Sequence, residues 1–145
     1  MSGRRERDAA VVAQRLPAGT LHHAVDGRDV YVFRKMTEMG IPFEIAVYYD
    51  EDEGGYSAQL VSPEVEASWR DQHVGHLFFD GVICMGQNPM RTRPTLLDAY
   101  GRACLWAEGM AIMIRSHEAG TPCEFPFSIN NSSDEARSAL RGAGT

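Results

Sequence analysis

The chain has 145 residues, a net charge of −6 and three cysteines. This length predicts a single domain that can bury a core without disulfides. The acidic balance argues against a nucleic-acid partner, and no apolar stretch approaches the roughly 20 residues needed to cross a bilayer. An odd number of cysteines and the absence of an apolar signal segment at the N-terminus favour a reduced, cytoplasmic setting.

The basic residues are almost all arginines. Lys35 is the only lysine, against thirteen arginines. Codon bias in a GC-rich genome is the simpler explanation. The alternative is that a protein handling activated acyl groups benefits from having few nearby amines that could capture them.

The first half of the chain predicts one helix followed by strands. Residues 4–16 form an amphipathic pattern with Ala9, Val12, Ala13 and Leu16 on one face. After a polar passage, alternating side chains predict strands at 29–34 and 43–49, and residues 56–61 return as a partner strand. The acidic turn between the last two strands makes them an antiparallel hairpin.

The second half predicts a loop and a long helix. A third apolar run surrounds Asp80 and Gly81 and ends at Cys84. A helix is then expected to begin near Thr95, with Asp98 three positions later in a partial capping box. Its apolar stripe continues to Ile114, and Gly120 and Pro122 end it.

This order predicts an α+β fold, with an N-terminal helix, an antiparallel meander of three or four strands, a cysteine-bearing loop and a long packing helix. We expect one catalytic domain over residues 1–128. Residues 129–145 form a polar tail with at most one short helix, at residues 134–140.

Cys84 is the strongest chemical candidate. It ends an apolar run between Gly81 and Gly86, where backbone amides can approach a reacting carbonyl. Gln87 and Asn88 could donate hydrogen bonds to a developing oxyanion, and the N-terminus of the following helix would favour a thiolate. The pattern predicts a nucleophile that forms a thioester. In contrast, Cys104 falls on the buried helix stripe, and nothing around Cys123 would lower its pKa.

Two histidines precede this cysteine and leave alternatives open. His73 and His76 could pair with Cys84 as in a cysteine protease, although no third group that would orient the imidazole is evident. Together with Cys84 and Cys123 they could also bind zinc, but their spacing fits no common structural zinc pattern. A zinc-dependent deaminase site would need a His-x-Glu and a Cys-x-x-Cys pair, and the sequence contains neither.

The segment from Gly81 to Met85 (GVICM) resembles the active-site motif of the ubiquitin-conjugating enzymes, Gly-x-Ile-Cys followed by an apolar residue. The order of the elements is similar to that in the divergent bacterial members of that family: a helix, a meander and a histidine-containing flap precede the cysteine. The later helix, which carries Trp106, is also similar to a helix of those members. The resemblance covers residues 4–118. The flap begins at His73 or His76 and lacks the family's asparagine, which Asn88 or Gln87 would replace.

The resemblance implies a thioester mechanism without a metal or organic cofactor. Cys84 would accept a ubiquitin-like protein from an activating enzyme and pass it to an amine of a protein substrate, with His73, His76 and Asn88 around the reacting centre. In bacteria such proteins are encoded beside these partners, often in antiphage operons. The alternative is an inactive variant of the same fold that binds a ubiquitin-like partner or scaffolds a complex.

Overall fold

The fold, described by a computed structural model over residues 3–86 and 89–127, is α+β. It comprises a helix, a four-stranded sheet and a long helix. In chain order these are α1 (Gly3–Arg15), β1 (Leu21–Val25), β2 (Arg28–Met36), β3 (Pro42–Asp50), β4 (Gly55–Ser62) and α2 (Leu96–Glu118). The expected order of helix, meander, cysteine-bearing loop and long helix is confirmed.

The sheet is an antiparallel meander in the order β1-β2-β3-β4. Its first hairpin turns through Asp26 and Gly27, whose φ angles of 52° and 77° suit a two-residue turn. The sequence predicted only a polar passage where β1 lies. All five residues of β1 are exposed, so the strand lacks the apolar alternation that marks a half-buried one.

The long helix α2 begins where the sequence predicted. The Thr95 hydroxyl accepts a hydrogen bond from the Asp98 amide at 3.1 Å, which caps the first turn. The expectation of a single apolar stripe was too narrow, because every residue from 101 to 111 is buried. One side of α2 contacts β3 and β4, and the segments at 63–79 and 121–127 cover the other.

The packing face of helix α1 was predicted in part. Val12 packs against the core, and Leu16, just after the helix, is buried as expected. Ala9 and Ala13 are exposed, whereas Asp8 is buried. The Tyr56 hydroxyl donates to both carboxylate oxygens of Asp8, at 2.7 and 2.9 Å, and its burial raises the pKa of Tyr56 to about 12. The Tyr56 hydroxyl supplies the hydrogen-bond donor that a buried carboxylate requires, so a polar residue takes a position that periodicity alone assigns to an apolar one.

Two predictions of the sequence lie outside the described residues: the tail at 129–145 with its short helix, and the loop amides of Gln87 and Asn88. Over residues 3–86 and 89–127, no helix combines the length and the apolar composition that crossing a bilayer requires.

Candidate functional site

The cysteine loop begins with a segment that crosses the outer side of α2. The buried indole of Trp106 donates a hydrogen bond to the carbonyl of Gly75 at 2.8 Å. Gly75 has no room for a side chain, since a Cβ there would meet the backbone carbonyl of Trp69. The segment that carries both histidines is therefore held tightly against the helix.

A tight hairpin follows. The Gly81 amide donates to the Phe78 carbonyl at 2.9 Å, and the Phe78 amide donates to the Val82 carbonyl at 2.8 Å. The Asp80 carboxylate accepts from the Val82 amide and pairs with the guanidinium of Arg91. That cation lies beside the carboxylate and holds the pKa of Asp80 below its usual value against the opposing effect of burial. Phe79 stands at the tip and is 82% exposed.

Cys84 comes from a short extended run that pairs with the sheet edge. The Ile83 amide donates to the Ala58 carbonyl of β4 at 2.8 Å, and the Cys84 amide donates to the His76 carbonyl at 2.9 Å. Ile83 and Met85 are fully buried on either side. This apolar flank explains how the sequence positions Cys84: its two neighbours anchor the backbone in the core.

The thiol of Cys84 is buried, with 4% of the residue exposed. Burial raises the pKa of the Cys84 thiol, and a hydrogen bond from the backbone amide of Gly86 acts in the opposite direction. Burial is the larger effect. The thiol is thus mainly protonated at neutral pH, so the expectation of a thiolate favoured by the following helix is wrong.

The two histidines line a cavity to which Cys84 does not contribute. The cavity has a volume of about 510 Å³, and its walls include Trp69, His73, His76, Cys123 and Phe125. Within the described chain, neither imidazole hydrogen-bonds to the Cys84 thiol. His76 is joined to Cys84 through its backbone carbonyl, while its ring packs edge-on against Phe125 at 4.8 Å between centroids.

Burial lowers the pKa of His76, and the neighbouring His73 adds to the effect. A neutral imidazole can accept a proton, but here the thiol that it would activate is not at its ring. The arrangement therefore does not assemble the dyad that the cysteine-protease alternative requires.

The structure also does not bring together the four residues considered as zinc ligands. Among residues 3–86 and 89–127, no three histidine, cysteine or acidic side chains stand close enough together to hold a metal ion. His73, His76 and Cys123 share the cavity wall, but the sulfur of Cys123 instead lies 3.2 Å from the Ser116 hydroxyl. Cys84 contacts His76 through the backbone and does not line that cavity.

Sequence reasoning missed the Asp80–Arg91 pair that braces the hairpin. A search for local turn residues does not reveal this pair, because its partners are eleven positions apart. The zinc alternative did group Cys123 with the two histidines, and Cys123 does line the same cavity as His73 and His76. Cys84, the fourth residue of that group, does not line it.

Compared with known proteins, the chain matches no family model, no curated protein and no solved structure. The geometry around Cys84 and the resemblance of its motif are therefore the two observations that bear on function.

Proposed function

We propose that this chain is a bacterial ubiquitin-conjugating-like enzyme that carries a ubiquitin-like protein as a thioester on Cys84. The observation that supports this most directly is the placement of Cys84. It lies at the end of a run paired with β4, with the Gly86 amide hydrogen-bonded to its sulfur. The run from Gly81 to Met85 carries the resembling motif, and the described elements follow in the order that the motif's family shows.

The proposed reaction has two balanced steps. The Cys84 thiolate attacks the carbonyl carbon of the thioester on an activating enzyme, and the thiolate of that enzyme leaves. An amine of a protein substrate then attacks the new thioester, the bond to the Cys84 sulfur breaks, and the amine proton passes to solvent. A backbone amide near the sulfur, such as that of Gly86, is the type of donor that stabilises each oxyanion.

The raised pKa of Cys84 suits a carrier better than a hydrolase. A hydrolytic cysteine needs thiolate at neutral pH and a base close by. A carrier receives an already activated acyl group, and a thiol of higher pKa is a poorer leaving group, so its thioester is more persistent. The absence of an imidazole–thiol contact within the described residues is consistent with this role.

The test is charging with the ubiquitin-like protein and activating enzyme encoded beside the gene, together with ATP. Wild type should form an adduct that a reducing agent removes on a gel. Cys84→Ala should abolish that adduct, and Cys123→Ala, which removes the exposed thiol, should leave it intact. If the activating enzyme charges itself and wild type stays uncharged, the proposal is wrong.

The burial of Cys84 favours a second candidate, a binding or scaffold module of the same fold. With 4% of the residue exposed, a role for Cys84 in the core is physically reasonable. In that case Cys84→Ser should retain binding of the ubiquitin-like protein, measured by calorimetry, and no thiol-sensitive adduct should form with any variant.

A further inference from the structure

The first strand of the sheet has an open edge. β1 (Leu21–Val25) pairs with β2 on one side, and among residues 3–86 and 89–127 no strand or bridge pairs with its other side. The opposite edge of the sheet is covered, because the run that carries Cys84 bridges from Val82 to Gln59 of β4. The main-chain groups on the outer side of β1 are therefore available to another strand.

The turn of the first hairpin determines which main-chain groups of β1 point outward. A two-residue turn makes Val25 and Arg28 a hydrogen-bonded pair. Hydrogen-bonded and non-hydrogen-bonded pairs alternate along an antiparallel ladder, so every second residue back from Val25 is bonded to β2. The N–H and C=O groups of His22 and Ala24 therefore point away from the sheet.

β1 lacks the features that normally protect such an edge. Natural sheets prevent edge pairing with charged side chains, proline or a bulge. The five residues of β1 (LHHAV) include no proline, lysine, arginine or acidic residue, and their register with β2 has no bulge. Leu21 and Val25 are 57% and 50% exposed. The strand thus combines free main-chain groups with exposed apolar side chains.

The residues of β1 are complementary to a second copy of the same strand. In an antiparallel pair centred on His23, His22 lies opposite the partner's Ala24, so every outward-pointing residue meets an outward-pointing residue. Centring the pair on His22 or Ala24 instead satisfies only one of them. The centred register also places Leu21 opposite the partner's Val25, in a non-hydrogen-bonded pair, where side chains lie closest. Apolar cross-strand pairs of this kind stabilise a sheet.

We propose that two copies of this chain associate by pairing β1 with itself across a two-fold axis at His23, which joins their sheets into one. Each His22 exchanges main-chain hydrogen bonds with the partner's Ala24. Interfaces that bury less than about 1,200 Å² in total are weak or transient, and an interface of five residues from each copy belongs to that class. Both Cys84 runs stay uncovered at the far edges, so the association is independent of the proposed carrier function.

The first experiment measures the mass of the whole chain by sedimentation equilibrium at concentrations from about 10 μM to about 1 mM, the range that a weak dimer requires. Wild type should shift from the 16.1 kDa of one chain towards twice that mass. Leu21→Lys should stay monomeric, because it places an ammonium group opposite the partner's Val25. Val61→Lys is the matched control, since Val61 is 52% exposed but lies on β4.

The control should dimerise as wild type does. A wild-type chain that is monomeric at every concentration would overturn the proposal. A dimer that Val61→Lys disrupts and Leu21→Lys does not would also overturn it, because the interface would then lie at the other edge of the sheet.

A proline variant tests the main-chain bonds. Ala24→Pro removes an outward N–H that β2 does not use, and proline is tolerated on an edge strand in that position. It should weaken dimerisation at least tenfold while the far-UV circular dichroism spectrum stays that of wild type. Ala24→Val keeps the amide and should dimerise as wild type does. An unchanged dimer in Ala24→Pro would show that β1 does not pair through its main chain.

Disulfide trapping tests the register, in a Cys123→Ala background that removes the exposed thiol. His23→Cys should form a linked dimer in a glutathione buffer, because the Cα atoms of a non-hydrogen-bonded pair lie about 4.5 Å apart, within the range of a disulfide. Leu21→Cys alone should stay unlinked, since the two copies of position 21 stand about 13 Å apart along the strands. Mixed with Val25→Cys chains, it should link.

These pairs are specific to a two-fold axis at His23. An unlinked His23→Cys chain would overturn the proposed pairing, and so would a linked dimer of Leu21→Cys alone.

Discussion

The indole N–H of Trp106 donates to the carbonyl of Gly75 at 2.8 Å, in a fully buried part of the molecule. This bond joins the centre of α2 to the segment that carries the two histidines. Gly75 is followed at once by His76, whose carbonyl receives the Cys84 amide. The helix therefore positions the backbone at Cys84 through two successive hydrogen bonds.

Trp106→Phe should destabilise the fold by about 1–3 kcal/mol. The phenyl ring fills most of the space, but the buried Gly75 carbonyl loses its donor, and an unsatisfied buried acceptor costs about that much. Urea unfolding of wild type and variant measures the difference. Trp69→Phe is the control, because the half-buried Trp69 ring packs against His117, and it should lose less than about 1 kcal/mol. Equal losses would show that the Gly75 bond contributes little.

Gly109→Ala should destabilise the fold although alanine favours helix. A Cβ at position 109 would meet the Phe125 ring, with two of its carbons at 2.8 Å. Such overpacking costs about 1–3 kcal/mol, whereas alanine in a helix gains about 1 kcal/mol over glycine. Urea unfolding should therefore show a net loss for the single substitution.

The same substitution should change sign once the ring is removed. In a Phe125→Ala background, Gly109→Ala should stabilise the fold by up to about 1 kcal/mol, since only the helix propensity remains. If the substitution were destabilising by the same amount in both backgrounds, contact with Phe125 would not be its cause.

The elements with strong local signals could be predicted from the sequence. The start of α2 follows from the Thr95 cap, and the β3–β4 hairpin follows from alternating apolar side chains around an acidic turn. Strand β1 could not be predicted, because both of its faces are exposed and its residues give no burial pattern. Asp8 was missed because its donor, Tyr56, is 48 positions away.

The candidate site was predictable only at its central residue. The sequence placed Cys84 correctly at the end of an apolar run, because its buried neighbours are adjacent in sequence. It grouped the histidines with Cys84 because they are close along the chain. In the fold, the His76 ring turns to Phe125 and a cavity shared with Cys123, a direction set by long-range packing.

Asp29 should stabilise the fold in a pH-dependent way. Hydrogen bonds from Arg5 and His22 lower the pKa of Asp29 to about 2. Because this is below the ordinary value of 3.8, the stabilisation is present above about pH 4 and is lost as the pH falls towards 2. For a surface group we expect at most about 1 kcal/mol.

Asp29→Asn tests this through urea unfolding between pH 7 and pH 3. The variant should be less stable than wild type at pH 7, and the difference should shrink as the pH falls below 4. Arg5→Gln, which removes the first donor, should show the same trend. A difference that stays constant with pH would mean that the carboxylate charge is not involved.

The three thiols should alkylate in an order that follows their environments. Cys123 is exposed and should react first with iodoacetamide. Cys84 should follow slowly, since it is buried and burial raises its pKa. Cys104 should be slowest, because its burial raises its pKa to about 11. Peptide mass spectrometry gives each rate, and the chain unfolded in urea is the control, in which the three rates should converge.

The pH dependence at Cys84 bears most directly on the proposed carrier role. Because the thiolate is the reactive form and the pKa is raised, the alkylation rate should rise about tenfold per pH unit between pH 7 and 9. Thioester formation on Cys84 should rise over the same range for the same reason. Fast alkylation of Cys84 at pH 7 with no further rise would instead identify a stabilised thiolate. That result would contradict the burial-raised pKa and favour a nucleophile activated as in a hydrolase.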